Sequence, residues 1–341
     1  MIRWRTPRWW YRRGPAPWFA GALTPLSALW AKRTLARIRR VTPRDIGAPV
    51  VCVGNLTAGG SGKTPTAMEV ARLLDAAGMR PALLVSGYGG RLRGPVLVDD
   101  AHHTAAEVGD EALMMRRAAP VVVSRDRFAG ARLALASGAD AVVMDDGHQN
   151  PTLAKTLSIV VVDGETRDGE WPFGAGGVIP AGPLREPLAT GLCRADAVVV
   201  VLPAGLATAD ADLLAVFADK PVWIARWTAE PPPTGRRFAF AGIAKPWRVE
   251  RALRVAGGDL VGFEAFPDHA PIGEGALRRL ATRAEKAGAS LVTTEKDWAR
   301  LGPEWRERVT PWPARVVFDD EAAVTAALLS ACRPQAPARS A

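Results

Sequence analysis

The run Gly59-Gly60-Ser61-Gly62-Lys63-Thr64 is the strongest chemical signal in the chain. Small residues let backbone N–H groups converge on phosphate oxygens, the lysine reaches β- and γ-phosphates, and a hydroxyl after it can sit on Mg²⁺. A β-branched run, Val50 to Val53, precedes it and reads as a buried strand. Ala67 to Ala77 follows with Met68, Ala71 and Leu74 on one side, as on a helix. Strand, glycine turn and helix together make Thr57, Ala58, Gly59, Gly60, Ser61, Gly62, Lys63 and Thr64 a candidate nucleotide-phosphate loop. The strict pattern puts glycine where Thr57 stands, and the competing reading is a glycine-rich connection carrying a surface lysine.

Carboxylates supply the second signal. Asp145-Asp146 follows the apolar run Ala139 to Met144. Acids at the carboxyl end of a buried strand, beside a phosphate loop, hold Mg²⁺ directly or through water. Alone, Asp-Asp-Gly would read as a turn. Asp110-Glu111 lies between two candidate strands. A carboxylate there could face an acceptor hydroxyl, or simply complement a helix N-terminus. His269, in Phe-Pro-Asp-His, is a loop histidine that could orient such a carboxylate or could be a packed imidazole. His148 reads as a turn-surface imidazole. Arg125, Arg127, Arg185 and Lys296 fall at loop positions, where each could grip phosphate or be a plain surface charge.

The elements that must position these groups alternate. Strands are expected at 81–86, 96–99, 120–124, 139–144, 157–163, 196–202 and 222–225, with helices at 107–117 and 125–137 among them. This alternation implies a doubly wound, mostly parallel sheet. Residues 172–187, rich in Pro and Gly, are too long for a mere connector. Glu230 to Gly235 contains three consecutive prolines and is the expected linker. A second α/β unit follows, with strands at 238–243, 260–266 and 290–294 and helices at 246–256 and 274–287.

The 341 residues suggest about two domains, and 48% hydrophobic content excludes a disordered chain. Cys52, Cys193 and Cys332 are scattered, which fits neither a disulfide framework nor a metal spacing and points to a reducing compartment. The net charge of +9 is local: residues 1–44 hold 11 Lys/Arg and no acid, while the remainder carries 33 basic against 35 acidic residues.

That N-terminal stretch also holds five of the 12 tryptophans, more than a merely solvated tail would want. Trp18 to Ala31 is apolar but shorter than the roughly 20 residues a spanning helix needs. On a helix Trp18, Ala22, Leu26 and Leu29 share a face, continued by Arg33, Arg37 and Arg40. Tryptophan with basic flanks suits the headgroup layer of an anionic leaflet. The competing readings are a cleaved signal with Arg12-Arg13, a single-strand nucleic-acid arm and a solvated basic tail.

Taken in order, GNLTAGGSGKTP, SGYGG, VGDE, MDDGHQ, IPAGPLREP, FAFAGI, FPDH and TTEKD resemble the tetraacyldisaccharide 4′-kinase (lipid A 4′-kinase) family over nearly the whole chain. The Thr57 variant fits the family's loop. The resemblance implies transfer of the ATP γ-phosphate to the 4′-hydroxyl of a disaccharide lipid precursor in lipopolysaccharide synthesis. It implies Mg²⁺ and an enzyme at the cytoplasmic face of the bacterial inner membrane, held peripherally or monotopically. By resemblance, Lys63 and Thr64 bind phosphate and Mg²⁺, Asp110 is the base with His269 its partner across a cleft, and Asp145 and Asp146 are the metal carboxylates. Tyr88, Glu111, Arg127, Gln149, Arg185 and Glu186 fall in or near the site. The chain departs from the family's usual pattern at Ser86, Ala112, His148, Asn150 and Ala270.

The expected fold class is therefore α/β: a P-loop NTPase-like, doubly wound, mostly parallel sheet with a second, smaller α/β domain and an N-terminal membrane-associating helix. Expected boundaries are 1–44 for the membrane segment, 45–235 for the nucleotide domain, 236–333 for the smaller domain and 334–341 for a disordered tail. Neither nucleic acid nor a stable protein partner is expected. A GTPase or metallochaperone-like switch is the rival class, and it wants an Asn-Lys-x-Asp that Thr294 to Asp297 does not supply. A soluble small-molecule kinase is the rival within enzymes.

Overall fold

The computed structural model describes residues 6–231, 234–268 and 272–333. Among these the chain forms the strands β1 (Val50–Gly54), β2 (Pro81–Val85), β3 (Val96–Leu97), β4 (Val121–Val123) and β5 (Ala141–Asp145). They are followed by β6 (Leu157–Asp163), β7 (Ala197–Leu202) and β8 (Val222–Ala229). The later strands are β9 (Arg237–Ala241), β10 (Leu260–Ala265), β11 (Ser290–Thr294), β12 (Val309–Trp312) and β13 (Ala314–Phe318). Two sheets result, ordered β13-β8-β7-β6-β1-β5-β2-β4-β3 and β10-β9-β11-β12.

The large sheet is parallel from β8 to β4, with antiparallel β13 and β3 at its edges. Its central strands are unbroken apolar runs such as Val-Val-Cys-Val and Ala-Val-Val-Val-Val-Leu, buried along their full length. Such runs follow from helices covering both faces of a parallel sheet. On one face, Val70, Ala71 and Leu74 of the helix Lys63–Ala76 pack on Val51 and Val53. The β6–β1–β5 pairing places the carboxyl ends of β1 and β5 side by side, with Val53 in register with Asp145.

The small sheet is wholly parallel. The helices Pro246–Val255 and Glu274–Lys286 cover it through Leu253 on one face and Leu277, Leu280 and Ala284 on the other.

The structure revises two expectations. The smaller domain does not run to residue 333. After β12 the chain returns to the large sheet, where β13 pairs with β8 and places Ala314 opposite Ala229. The final helix, Glu321–Cys332, buries Val324, Leu328 and Cys332 in the same core as Val51 and Leu74. The second domain is thus an insertion between two neighbouring strands. The expected helix at 107–117 is two short helices, Ala105–Val108 and Asp110–Met115, separated by Gly109 at φ 92°. The tail 334–341 and His269 lie outside the described residues.

At the N-terminus a 3₁₀ turn, Arg8–Tyr11, leads to a 21-residue helix, Ala20–Arg40, that continues through Pro25. Trp18 (91% exposed), Phe19, Leu26, Leu29 and Trp30 form its open apolar face. The opposite side is anchored: Ser27, only 6% exposed, donates to the Val178 carbonyl at 2.7 Å and accepts from the Ala181 amide at 3.0 Å. No helix among the described residues is long and apolar enough to cross a membrane.

Candidate active site

The glycine turn folds as its composition requires. The helix begins at Lys63, so its free N–H groups open toward the turn. Asn55 cinches the loop, donating to the Thr57 carbonyl at 2.8 Å and to Ser61 Oγ at 2.9 Å. The long 172–187 segment flanks it: Ala58 donates to the Pro183 carbonyl, Arg185 donates to the Leu56 carbonyl, and Thr57 bridges Leu184.

Thr64 and Asp145 meet at this edge, with Thr64 Oγ1 donating to Asp145 Oδ2 at 2.8 Å. Asp145 is buried, and its Oδ1 receives no hydrogen bond among the described residues. Burial, reinforced by Glu111 and Asp146 and opposed by Lys63 and Thr64, lifts its carboxyl to about 6. Asp146, at φ 54°, pairs with Arg185 Nη1 at 2.7 Å and Lys63 Nζ at 4.0 Å. Desolvation in the cleft works against its charge, but Lys63 and Arg185 outweigh it and hold its pKa below the ordinary carboxylate value.

These residues fit a divalent cation delivered with a nucleotide. No group of three or more His, Cys, Asp or Glu gathers as a stand-alone cation site among the described residues. Instead one hydroxyl and one carboxylate with an unused, buried oxygen stand beside a phosphate-binding turn. Mg²⁺ favours that donor set, because it takes few protein oxygens and completes its octahedron with phosphate and water.

Asp110 is the first residue of its helix, 5% exposed, and its Oδ1 accepts from the Glu111 amide at 3.0 Å. Gly109 allows this placement: a Cβ there would meet the Tyr88 carbonyl oxygen at 2.6 Å, and its φ lies in the region L side chains avoid. Tyr88 itself is 67% exposed at the mouth of the site. The second domain closes over this helix. Lys296 pairs with Glu111 at 3.0 Å and with Asp268 at 3.7 Å. Arg300 lies 3.7 Å from Asp110 and also binds Asp297.

The remaining predicted residues stand behind the loop. Arg127 is buried and donates to the carbonyls of Ser124 at 3.2 Å and Asp145 at 3.3 Å, which fixes the end of β5. Glu186 is fully buried in a paired contact with Arg194 at 2.7 Å and accepts from Gln149 Nε2 at 3.0 Å. The same Gln149 nitrogen donates to the Asn55 carbonyl. His148 corrects the surface reading. It is 2% exposed, and Nε2 lies 2.9 Å from the Gly191 carbonyl while Nδ1 lies 3.1 Å from Ser158 Oγ. A carbonyl only accepts, so Nε2 carries the proton. Burial, helped by Lys155 and Arg194, drops this imidazole to about 3 and keeps it neutral. Arg125 is exposed, while Arg300, which no local motif marks, lies beside Asp110.

A phosphate turn on a parallel sheet, a Thr–Asp pair at its edge and a buried carboxylate under a closing second domain define a two-domain nucleotide-dependent phosphotransferase. The comparisons specify it further. The family model described as tetraacyldisaccharide-1-P 4′-kinase matches residues 19–333. The tetraacyldisaccharide 4′-kinase of Phenylobacterium zucineum is 60% identical over 324 residues, covering 94% of this chain and 97% of that protein. Its counterpart in Caulobacter vibrioides is 58% identical over 326 residues, covering 95% and 97%. The crystal structure of LpxK from Aquifex aeolicus in complex with ATP superposes with a TM-score of 0.71 at 26% identity, covering 92% of this chain and all of that one. The chain belongs to the tetraacyldisaccharide-1-P 4′-kinase family. It is a lipid kinase that phosphorylates the disaccharide precursor at its 4′ position.

Proposed function

We propose that the donor is Mg²⁺·ATP, seated with its β- and γ-phosphates in Thr57–Thr64, and that Asp110 is the base for the 4′-hydroxyl. Thr64 and Asp145 would hold the cation, with Asp146 beside it. Bound there, Mg²⁺ neutralises charge on the phosphate oxygens. Lys63 reaches the γ-phosphoryl group, and Arg185 orients Asp146. The acceptor hydroxyl gives its proton to the Asp110 carboxylate as its oxygen bonds to γ-phosphorus, and ADP leaves with the electron pair of the broken P–O bond. Arg300 and Glu111–Lys296 hold the Asp110 helix against the second domain, which excludes water from the transfer. His269 is the proposed partner of Asp110. Tyr88 is proposed to meet the acceptor at the rim.

The observation that carries this reading is the 2.8 Å Thr64–Asp145 hydrogen bond, with Asp145 Oδ1 unused beside Lys63 and Asp146. LpxK from Aquifex aeolicus was crystallised in complex with ATP. We further propose that the apolar face from Trp18 to Trp30 rests in the cytoplasmic leaflet of the inner membrane, flanked by Lys32 and Arg33.

The test is transfer of label from [γ-³²P]ATP to tetraacyldisaccharide 1-phosphate. Labelled product at the 4′ position is expected from wild type, with loss in Lys63→Ala and a fall of about 10²–10⁴ in Asp110→Asn at retained ATP binding. Label released only to water, or near-normal transfer by Asp110→Asn, would sink the assignment.

A further inference from the structure

Tyr11 lies eight residues before the segment that the family model matches, 19–333, yet it reaches the phosphate loop. Its hydroxyl donates to the Ala58 carbonyl. A Cβ on Gly59, which sits at φ 87°, would come within 2.7 Å of that hydroxyl, so the loop's apex is fitted around it. Burial, with the Asp163 charge nearby, pushes the phenol up and keeps the donor proton in place.

The ring has a second neighbour. Lys245 Nζ lies 4.4 Å from its centroid, within cation–π range. Lys245 belongs to the second domain and is itself tied to Asp163 at the end of β6 by a 2.6 Å ion pair. The adjacent Ala244 is the nearest atom group to Gly60, at 3.7 Å from a Cβ placed there. The backbone of Tyr11 is fixed as well: its carbonyl accepts from the Trp171 amide at 2.7 Å, and Arg13 donates its amide to Gly169 at 2.8 Å. Phosphate loop, second domain and N-terminal segment therefore meet on one side chain.

We propose that Tyr11 is a positioning residue of the nucleotide site, which sets the phosphate loop for ATP and ties it to the second domain through Lys245. The inference rests on the ATP-donor reading above. A hydroxyl-to-carbonyl bond is worth about 1 kcal/mol net, so its loss should weaken ATP binding about fivefold.

The experiment is equilibrium binding of Mg²⁺·ATP to the full chain in detergent micelles, beside its thermal unfolding and its KM for the lipid acceptor. Tyr11→Phe keeps the ring over Lys245 and should raise the ATP Kd about fivefold, with the acceptor KM unchanged and the unfolding midpoint lowered by less than about 5 °C. Tyr11→Leu also removes the ring and should weaken ATP further. Wild-type ATP affinity in Tyr11→Phe overturns the positioning role. So does a loss of affinity that appears only with a fall of more than about 5 °C in the midpoint. Equal losses in Phe and Leu variants overturn the tie to Lys245. The same comparison is run with GTP. A wild type that binds GTP alone would remove the ATP donor, and the Tyr11 comparison would then decide the inference on GTP.

Discussion

Trp30 and Arg185 are joined at 3.1 Å, the indole Nε1 donating to the backbone carbonyl of the residue whose guanidinium grips Asp146. One end of this contact belongs to the exposed apolar face of the N-terminal helix, the other to the phosphate edge of the large sheet. The exposed apolar face of the helix and the guanidinium paired with Asp146 are thus one hydrogen bond apart.

Trp30→Phe keeps an aromatic ring and removes the donor. Co-sedimentation with anionic vesicles should be unchanged, while kcat/KM on the lipid acceptor should fall about two- to fivefold. Equal activity of variant and wild type on the same vesicles would detach the helix from the site.

Arg185 spreads its fork over unlike contacts, Nη1 to Asp146 at 2.7 Å and to Gln149 Oε1 at 3.5 Å, and Nε to the Thr57 carbonyl at 3.2 Å. A lysine has one donor head and cannot reproduce the fork. Arg185→Lys should therefore lose about 10–100-fold in kcat/KM, close to Arg185→Ala. Steady-state kinetics that place Lys near wild type would mean that charge alone suffices.

Asp145 opposes folding at neutral pH, because its folded pKa of about 6 stands above the unfolded value. Between pH 4 and 6, roughly, the native state holds a proton the unfolded chain has released, so stability from this group falls as pH rises through that window. Above it the full penalty remains. Asp145→Asn should thus unfold at a higher temperature than wild type at pH 7.5, by the equivalent of on the order of 2 kcal/mol, while losing kinase activity. Calorimetry in Mg²⁺-free buffer checks the first outcome, and a lower midpoint in the variant would refute it.

Asp163 carries the opposite sign. Burial alone would raise its pKa, but Arg248 and Lys245, each at 2.6 Å, hold it far below the ordinary range. Its contribution is present above the unfolded value of about 4 and lost only as pH falls below it. Asp163→Asn leaves buried Lys245 and half-buried Arg248 facing a neutral amide. Such broken pairs cost about 3–5 kcal/mol, here drawn from the seam between the domains. Proteolysis of the 230–235 linker should quicken, and an unchanged cleavage rate would show that the seam does not depend on this pair.

What could be read from the sequence was local. The phosphate turn, Asp145-Asp146 and the proline linker declare themselves within a few residues, because turn chemistry, strand periodicity and backbone stiffness act at that range. Arg300 beside Asp110 and Lys296 on Glu111 form only when two domains close, and nothing near them in the chain marks the pairing. His148 looks like a turn residue, since its two partners, Ser158 and Gly191, lie 10 and 43 positions away. The Glu107–Arg117 run looks continuous because its acids suit a helix start, while Gly109, which divides it at positive φ, has the Tyr88 carbonyl too close for a side chain. The return of β13 to the large sheet was hidden for the same reason: its edge is chosen by β8, about 90 residues upstream.

That return sets an order of assembly on the ribosome. The large sheet lacks one of its edge strands, and the helix Lys63–Ala76 lacks part of its cover, until Ala314–Phe318 and Glu321–Cys332 emerge after the inserted domain. By then the inserted domain is fully synthesised and can already be folded. The nucleotide-binding layer is begun before the insertion and completed after it, and every nascent chain carries β8 as an open edge while the insertion is being made.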